Sequence, residues 1–120
     1  MDSETNIENL KNIVKKFCEE RDWDRFHNPK DLSIGIVTEA SELLSIFRFL
    51  NNDESINILN IKNKREMIEE ELSDVLFFIL RFSQKYEIDL SEAFIKKMKK
   101  NEEKYPAEKF RGINKKYNEV

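Results

Sequence analysis

Two short acidic motifs have the residue types and the spacing that metal-dependent phosphate chemistry uses. Glu39 and Glu42 form the first pair, and Glu71 and Asp74 form the second. The two acids of each pair are three positions apart, which makes them neighbours on the surface of a helix. Four carboxylates in one partly buried site repel one another unless they are protonated or neutralised. The pairs therefore predict a site for a hard divalent cation such as Mg²⁺, which commonly bridges carboxylates to substrate phosphates.

Two other interpretations of these acids stay open at this point. In the first, the acids are ordinary surface charges, which are common in a chain where 38% of all residues are charged. The second is a ferritin-like di-iron centre, which requires two Glu-x-x-His motifs. The single histidine, His27, lies outside both acidic pairs. Its position argues against redox iron and favours an all-oxygen site for Mg²⁺ or Mn²⁺.

The elements that carry the acids are predicted to be helices, in an all-α protein. Only two Gly and two Pro occur among 120 residues, too few for the turns of an all-β protein or for a Gly-rich phosphate loop. Asn28-Pro29 and Asp89 have the residue types of helix N-termini. Helical periodicity covers roughly residues 7–21, 29–50, 62–86 and 90–105. Residues 51–55 are predicted to be a polar loop, and 106–120 a loosely structured tail of a single domain, 1–120.

The apolar positions predict which faces of the second and third helices point inward. On the second helix the predicted inward residues are Ile36, Val37, Ala40, Leu43, Leu44 and Phe47. On the third they are Ile68, Leu72, Val75, Leu76, Ile79 and Phe82. Both acidic pairs then lie on the shoulders of these stripes. The third helix is apolar over so much of its circumference that it needs cover on more than one side, which indicates self-association.

Composition excludes several classes of function. The 21 basic and 24 acidic residues give a net charge of −3, so no basic excess indicates a nucleic-acid partner. The longest apolar run, 75–80, is too short to span a bilayer, which predicts no membrane partner. An acidic N-terminus and a single cysteine do not suggest secretion, so the expected location is cytoplasmic.

The last predicted helix offers groups suited to binding phosphate. Lys97, Asn101 and Tyr105 are spaced four residues apart and therefore share one helix face. A polyphosphate needs cations and neutral hydrogen-bond donors in addition to a metal ion.

Together with their flanking residues, the acidic pairs resemble the metal signature of the MazG-like all-α nucleotide pyrophosphohydrolases, and within that family the dCTP pyrophosphatases. The segments that carry the resemblance besides the first acidic pair are residues 21–32, 70–76, 97–106 and 116–117. The resemblance implies a four-helix MazG-like bundle that forms homodimers or homotetramers. It also implies hydrolysis of a nucleoside triphosphate between the α and β phosphates, which yields a monophosphate and pyrophosphate.

The resemblance assigns roles to particular residues. The metal ligands and catalytic acids would be Glu39, Glu42, Glu71 and Asp74. The phosphate-binding residues would be Lys97, Asn101 and Tyr105, and the base-binding residues Trp23, Phe49 and Phe78. This sequence has Phe49, Phe78 and Val14 where the dCTP pyrophosphatases have Trp, Tyr and His, respectively. These departures leave the metal chemistry intact and weaken the expectation of a strict cytosine preference.

The sequence therefore predicts a Mg²⁺-dependent enzyme that removes dCTP or related modified deoxynucleotides from the nucleotide pool. One alternative is the same chemistry on dUTP or on a broad set of triphosphates. The other is a non-catalytic helical interaction module, in which the acids are surface charges.

Overall fold

The computed structural model describes all 120 residues and contains α-helices and 3-10 turns but no β-strand. The α-helices are α1 (Ile7–Glu20), α2 (Pro29–Phe47), α3 (Asn52–Asn57), α4 (Lys62–Lys85), α5 (Leu90–Lys104) and α6 (Ala107–Phe110). Single 3-10 turns are formed by Asp24–Phe26, Ile58–Asn60 and Tyr117–Glu119. The predicted all-α class is confirmed. The predicted count of four helices is incomplete, because α3 and α6 are additional.

Local capping explains where the helices begin. Asn28 precedes Pro29, and its side chain accepts a hydrogen bond from the backbone N–H of Asp31 at 2.8 Å. The polar loop predicted at 51–55 is wrong, because a short helix begins there. The Asn51 side chain accepts from the Glu54 N–H at 2.9 Å, and the Glu54 carboxylate accepts from the Asn51 N–H at 3.0 Å. This reciprocal capping box provides partners for two backbone donors that a helix start otherwise leaves free.

The chain divides into two compact units, Met1–Glu87 and Ile88–Val120. In the first unit α4 packs against both α1 and α2. A small set of apolar side chains is buried there: Val14, Cys18, Leu32, Ile58, Ile68 and Leu80. Because these residues come from α1, α2, α4 and the 3-10 turn before α4, the first unit has one core that all these elements share.

The predicted inward faces of α2 and α4 need correction. Val37 is 69% exposed and Leu44 64% exposed, and Leu72 of α4 is also exposed. Glu39 and Glu71 instead lie on the half-buried faces of their helices. The prediction chose the most apolar stripe, but both helices are apolar on two faces. Packing within this unit covers only one of the two, and that face includes Glu39 and Glu71.

The second unit contains α5, α6 and the C-terminal 3-10 turn. Asp89 begins α5 as predicted, and its side chain accepts from the Glu92 N–H at 2.9 Å. The ring of Tyr105 lies 4.9 Å from the ring of Phe110 and 6.0 Å from that of Tyr117, between ring centres. This aromatic cluster links the end of α5 to the segment that follows it. The single-domain organisation of residues 1–120 stays a prediction.

None of the helices combines the length and the apolar character that crossing a lipid bilayer requires.

Candidate metal centre

Three of the four predicted metal ligands converge between α2 and α4. Glu39 and Glu42 lie one turn apart on α2, and Glu71 lies on α4. Each offers one carboxylate oxygen, and these oxygens lie within 4.8 Å of one another. Oxygen ligands around one octahedral Mg²⁺ are at most about 4.2 Å apart, since metal–oxygen bonds are about 2.1 Å long. Small side-chain movements therefore suffice to close the three oxygens around one ion.

The burial of two of these oxygens tests whether a cation fits. The Oε2 atoms of Glu39 and Glu71 are buried and have no hydrogen-bond partner. Buried polar atoms in proteins are nearly always paired, and an unpaired carboxylate oxygen is especially costly. A divalent cation held between α2 and α4 would neutralise both. The residues present therefore fit a metal ion with oxygen ligands.

Electrostatics in the site also favour neutralisation of the acids. Burial raises the pKa of Glu39 to about 7, and the adjacent carboxylates of Glu42, Asp74 and Glu71 act in the same direction. Burial likewise raises the pKa of Glu71, with contributions from Glu42 and Asp74. Without a cation, Glu39 and Glu71 thus hold their protons to a higher pH than isolated carboxylates do.

Asp74 is the fourth predicted ligand, and it lies outside the group of three convergent acids. Its side chain is exposed. Its charge nevertheless contributes to the raised pKa values of both Glu39 and Glu71, so it lies close to them. Asp74 therefore belongs to the same acidic surface, and its role as a metal ligand stays a prediction.

Two of the predicted base-binding residues belong to one continuous row of aromatic rings. Trp23 meets Phe17 edge-to-face with ring centres 5.5 Å apart. Phe17 meets Phe77 at 5.8 Å, and Phe77 meets Phe78 at 5.2 Å. Phe78 lies on α4 one turn beyond Asp74. The row therefore leads from the turn after α1 to the neighbourhood of the acids. Its inner members, Phe17 and Phe77, were not predicted as part of the site.

Phe49, the third predicted base-binding residue, lies just beyond α2 and is 86% exposed. The guanidinium of Arg48 lies over its ring, 4.9 Å from the ring centre. This arrangement gives Phe49 no place in the aromatic row within the single chain. Its contact with a base stays a prediction.

The predicted phosphate-binding residues belong to the second unit. Lys97 is exposed on α5, Asn101 is half-buried one turn later, and Tyr105 follows the last residue of the helix. The backbone N–H of Tyr105 donates to the Asn101 carbonyl at 2.8 Å. Lys97 and Asn101 thus lie one turn apart on α5 as predicted, whereas Tyr105 follows the end of the helix with non-helical backbone. The phosphate-binding role of all three stays a prediction.

Sequence reasoning missed Arg81, which is buried and reaches Asp24 and His27 in the segment next to Trp23. The available signal was a lone cation inside the apolar run of residues 77–82. Charged residues are almost never fully buried unless they are paired, so such a position indicates a specific set of partners.

Fold and site together define an all-α protein with an acidic site suited to a divalent cation. The chain belongs to the MazG-like family, whose model matches residues 34–120, the part that contains both acidic pairs. The predicted resemblance to this family is therefore confirmed.

Individual proteins are similar over most of the chain. It is 32% identical to dCTP pyrophosphatase 1 of Mus musculus over 117 residues, which cover 98% of this chain and 69% of the mouse protein. The human protein of the same name gives the same identity and coverage. A crystal structure of a pyrophosphatase from Archaeoglobus fulgidus DSM 4304 is 39% identical in sequence. It superimposes with a TM-score of 0.77, over 82% of this chain and 91% of the archaeal one.

Proposed function

We propose that this protein is a Mg²⁺-dependent nucleoside triphosphate pyrophosphohydrolase that cleaves dCTP or a related modified deoxynucleotide between its α and β phosphates. The observation that carries the proposal is the convergence of Glu39, Glu42 and Glu71, with two buried oxygens that lack a partner. Membership of the MazG-like family and similarity to proteins named dCTP pyrophosphatase 1 support the class of reaction. In a cell such an activity would remove unwanted nucleotides from the pool.

The donor set selects the kind of metal. Only carboxylates converge at the site, without histidine or cysteine, which favours Mg²⁺ and next Mn²⁺ over softer metals. Glu39, Glu42 and Glu71 would hold the ion, with Asp74 as a fourth ligand. When bound, the cation supplies a Lewis acid that neutralises charge on the phosphates and lowers the pKa of a water molecule.

The chain's own residues would then orient the substrate and move one proton. Lys97 and Asn101 would donate hydrogen bonds to the phosphates, together with the hydroxyl of Tyr105. A carboxylate oxygen of the acidic surface would accept a proton from the attacking water. The water oxygen forms a bond to the α-phosphorus, and the bond from this phosphorus to the bridging oxygen breaks. The products are a nucleoside monophosphate and pyrophosphate.

Base selectivity is expected to be weaker than in the most selective dCTP pyrophosphatases. Trp23 and Phe78 offer aromatic faces, and stacking on such faces tolerates every base. Val14 is buried in the core, and Phe78 has no hydroxyl group. Neither therefore gives a hydrogen bond to the base edge, which is the interaction that discriminates most strongly. We expect a pyrimidine preference with dCTP ranked high, and turnover of dUTP or of a broader set is the second candidate.

The exposed apolar residues of α2 and α4 support a homodimer or homotetramer. Val37 and Leu44 on α2 and Leu72 and Leu76 on α4 are all exposed in the single chain. Contiguous exposed apolar surface commonly marks a protein–protein interface. The lone cysteine, Cys18, is consistent with a cytoplasmic location, because that compartment is reducing.

Pyrophosphate release from a panel of triphosphates with Mg²⁺ tests the proposal. We expect release from dCTP, and less from dUTP and from purine triphosphates. Glu71→Gln should abolish release, and Glu66→Gln should not, because Glu66 is an exposed acid on the same helix outside the convergent group. No release from any triphosphate would favour the non-catalytic module. Equal release from purines and dCTP would refute the assignment of the base pocket.

A further inference from the structure

Arg81 is the most deeply buried charged residue of the chain, at 1% exposure. Its guanidinium donates three hydrogen bonds: Nε to the His27 Nδ1 at 2.9 Å, Nη2 to the Asp24 Oδ1 at 2.8 Å, and Nη1 to the Gln84 Oε1 at 2.6 Å. A buried charge is costly unless it is paired and hydrogen-bonded, and a guanidinium provides a rigid, planar set of donors. Two of the three bonds reach out of α4 to the turn between α1 and α2.

Lys85, the last residue of α4, and Tyr86, which follows it, bind the same turn. Lys85 donates through Nζ to the backbone carbonyl of Asp24, and the Tyr86 hydroxyl donates to the backbone carbonyl of His27 at 3.0 Å. Burial, together with the positive charges of Arg81 and Lys85, lowers the pKa of His27. The ring is therefore neutral near pH 7, with Nδ1 available to accept the bond from Arg81.

Trp23 lies between this turn and the end of α1. The Trp23 N–H donates to the Cys18 carbonyl at 3.0 Å, and the Asp22 N–H donates to the Glu19 carbonyl at 3.2 Å. With Asp22 at φ 53°, these bonds form a Schellman motif at the end of α1. The centre of the Trp23 ring lies 5.5 Å from that of Phe17 and 6.2 Å from that of His27, and both pairs meet edge-to-face. The backbone of Trp23 is thus bonded to the end of α1, and the backbone of Asp24 is bonded to Lys85 of α4.

We propose that Arg81 is a positioning residue for substrate recognition, which fixes the Trp23 ring through Asp24 and His27 so that the ring stacks on the nucleobase. The inference rests on the proposed function, in which Trp23 contacts the base. Arg81 is too deeply buried to touch the substrate itself. Its contribution is to reduce the freedom of the turn before the base binds, which lowers the cost of ordering Trp23 on binding.

A pair of variants separates positioning from general stabilisation. Asp24→Ala removes one of the two bonds that tie Arg81 to the turn, together with the ion pair between Asp24 and Lys85, at a side chain that is 66% exposed. Gln84→Ala removes the bond that Arg81 makes within α4 and leaves the turn untouched. We expect Asp24→Ala to raise KM for dCTP about tenfold with kcat within about twofold, a change typical of a weakened stacking contact. Gln84→Ala should leave KM unchanged. Similar KM values for the two variants would overturn the inference.

A double-mutant cycle tests whether Arg81 acts through Trp23. Arg81→Lys keeps the charge but loses the planar set of donors, and it should raise KM in the wild-type background. Combined with Trp23→Ala it should have no further effect on KM. An equal increase in both backgrounds would show that Arg81 does not act through the ring. Should Arg81→Lys fail to fold, the same cycle with Asp24→Ala decides the question.

Fluorescence without substrate keeps this inference separate from the proposed function. Trp23 is the only tryptophan, so the intrinsic emission reports on this one ring. Asp24→Ala should shift the emission to longer wavelength and increase quenching by acrylamide, and Gln84→Ala should not. Unchanged spectra in Asp24→Ala would overturn the positioning role even if dCTP is hydrolysed. Changed spectra in a protein that releases no pyrophosphate would instead overturn the proposed function.

Discussion

The ring of Phe78 lies so close to Gly35 that a Cβ built on the glycine would be 2.5 Å from two of the ring carbons. The absence of a side chain at Gly35 therefore lets α2 and α4 approach each other at this level. Gly35 lies one turn before Glu39, and Phe78 lies two turns after Glu71. The contact sets the separation of the two helices beside the convergent acids.

Gly35→Ala should destabilise the protein and lower activity. An alanine usually stabilises a helix interior by about 1 kcal/mol relative to glycine, whereas overpacking costs about 1–3 kcal/mol. The Phe78 ring must move, so we expect overpacking to prevail in urea unfolding and kcat to fall. Adding Phe78→Leu to the Gly35→Ala protein should restore part of the lost stability and part of the lost kcat, because the smaller side chain leaves room for the alanine methyl group. A more stable and fully active Gly35→Ala protein would contradict this account.

Removal of single carboxylates should abolish catalysis and leave the fold intact. Glu39→Gln, Glu42→Gln, Glu71→Gln and Asp74→Asn are each expected to lose nearly all pyrophosphate release at saturating Mg²⁺. In the presence of EDTA, Glu39→Gln should melt at a higher temperature than wild type, because it removes one of several crowded, partly desolvated acids. Near-normal turnover in two or more of the four variants would remove the metal-site assignment.

Mg²⁺ should raise the melting temperature of the wild-type protein. A ligand that binds only the native state stabilises it by about 2.7 kcal/mol at one hundred times its dissociation constant. The shift should disappear in Glu71→Gln and persist in the surface variant Glu66→Gln. Equal shifts in both variants would mean that the ion binds elsewhere.

Substitutions on α5 should weaken binding more than folding. Lys97→Ala and Asn101→Ala are expected to reduce the affinity for a non-hydrolysable triphosphate, measured calorimetrically with Mg²⁺, because charge-assisted bonds to phosphate are strong. Lys96→Ala is the matched control, since it removes the same charge from a neighbouring position on a different side of the helix. If all three variants bind as wild type does, this helix face is not part of the site.

Acidification should destabilise the network around Arg81. Desolvation alone would raise the pKa of Asp24, but the charges and hydrogen bonds of Lys85 and Arg81 outweigh it, so this pKa is lowered. Burial, Arg81 and Lys85 lower the pKa of His27, against the opposing charge of Asp24. Both groups bind protons more weakly in the folded state, so the unfolded state takes up more protons as the pH falls. The stability from His27 is complete above about pH 6.5 and is lost below it, and that from Asp24 is lost below about pH 4.

The contribution of His27 can be measured by comparison with His27→Asn, whose amide oxygen keeps an acceptor but does not titrate in this range. Urea unfolding between pH 7.5 and 5 should show a steeper loss for wild type than for the variant. The raised pKa of Glu39 has the opposite sign, because protonation of that acid favours the folded state. Its effect is present in both proteins and cancels in the difference. Parallel pH dependences would show that His27 does not titrate as inferred.

Local signals in the sequence were enough to predict the helices that carry the site. The side chains of Asn28 and Asp89 each accept a hydrogen bond from a backbone N–H three residues later, and these bonds determine where the next helix begins. The same reasoning failed at Asn51, where a capping box with Glu54 was interpreted as a polar loop. The same polar residue types occur at helix N-caps and in loops. Only the conformation of the backbone that follows them, helical or not, distinguishes the two cases.

The orientation of the helices could not be predicted in the same way. α2 and α4 each have two apolar faces, so the choice of packed face depends on α1 and on contacts distant in sequence. For this reason Glu39 and Glu71 were expected on shoulders and are found on half-buried faces. The role of Arg81 was equally hidden, because its partners Asp24 and His27 are 57 and 54 residues away.

One unbroken helix, α4, carries Glu71, Phe78 and Arg81. Glu71 and Phe78 are seven residues apart, about 10 Å along the helix axis. A helix fixes both the distance between two of its residues and the angle between their side chains. α4 therefore fixes the position of Phe78 relative to Glu71. In the proposed site, exchanges at position 78 that keep the packing against Gly35 would change the contact with the base while the acids keep their positions, so substrate preference could change while hydrolysis is retained. A single inserted residue between the two would rotate one end by about 100° relative to the other. Such insertions should therefore be rare in descendants of this protein that keep the activity, even where the descendants prefer nucleotides with different bases.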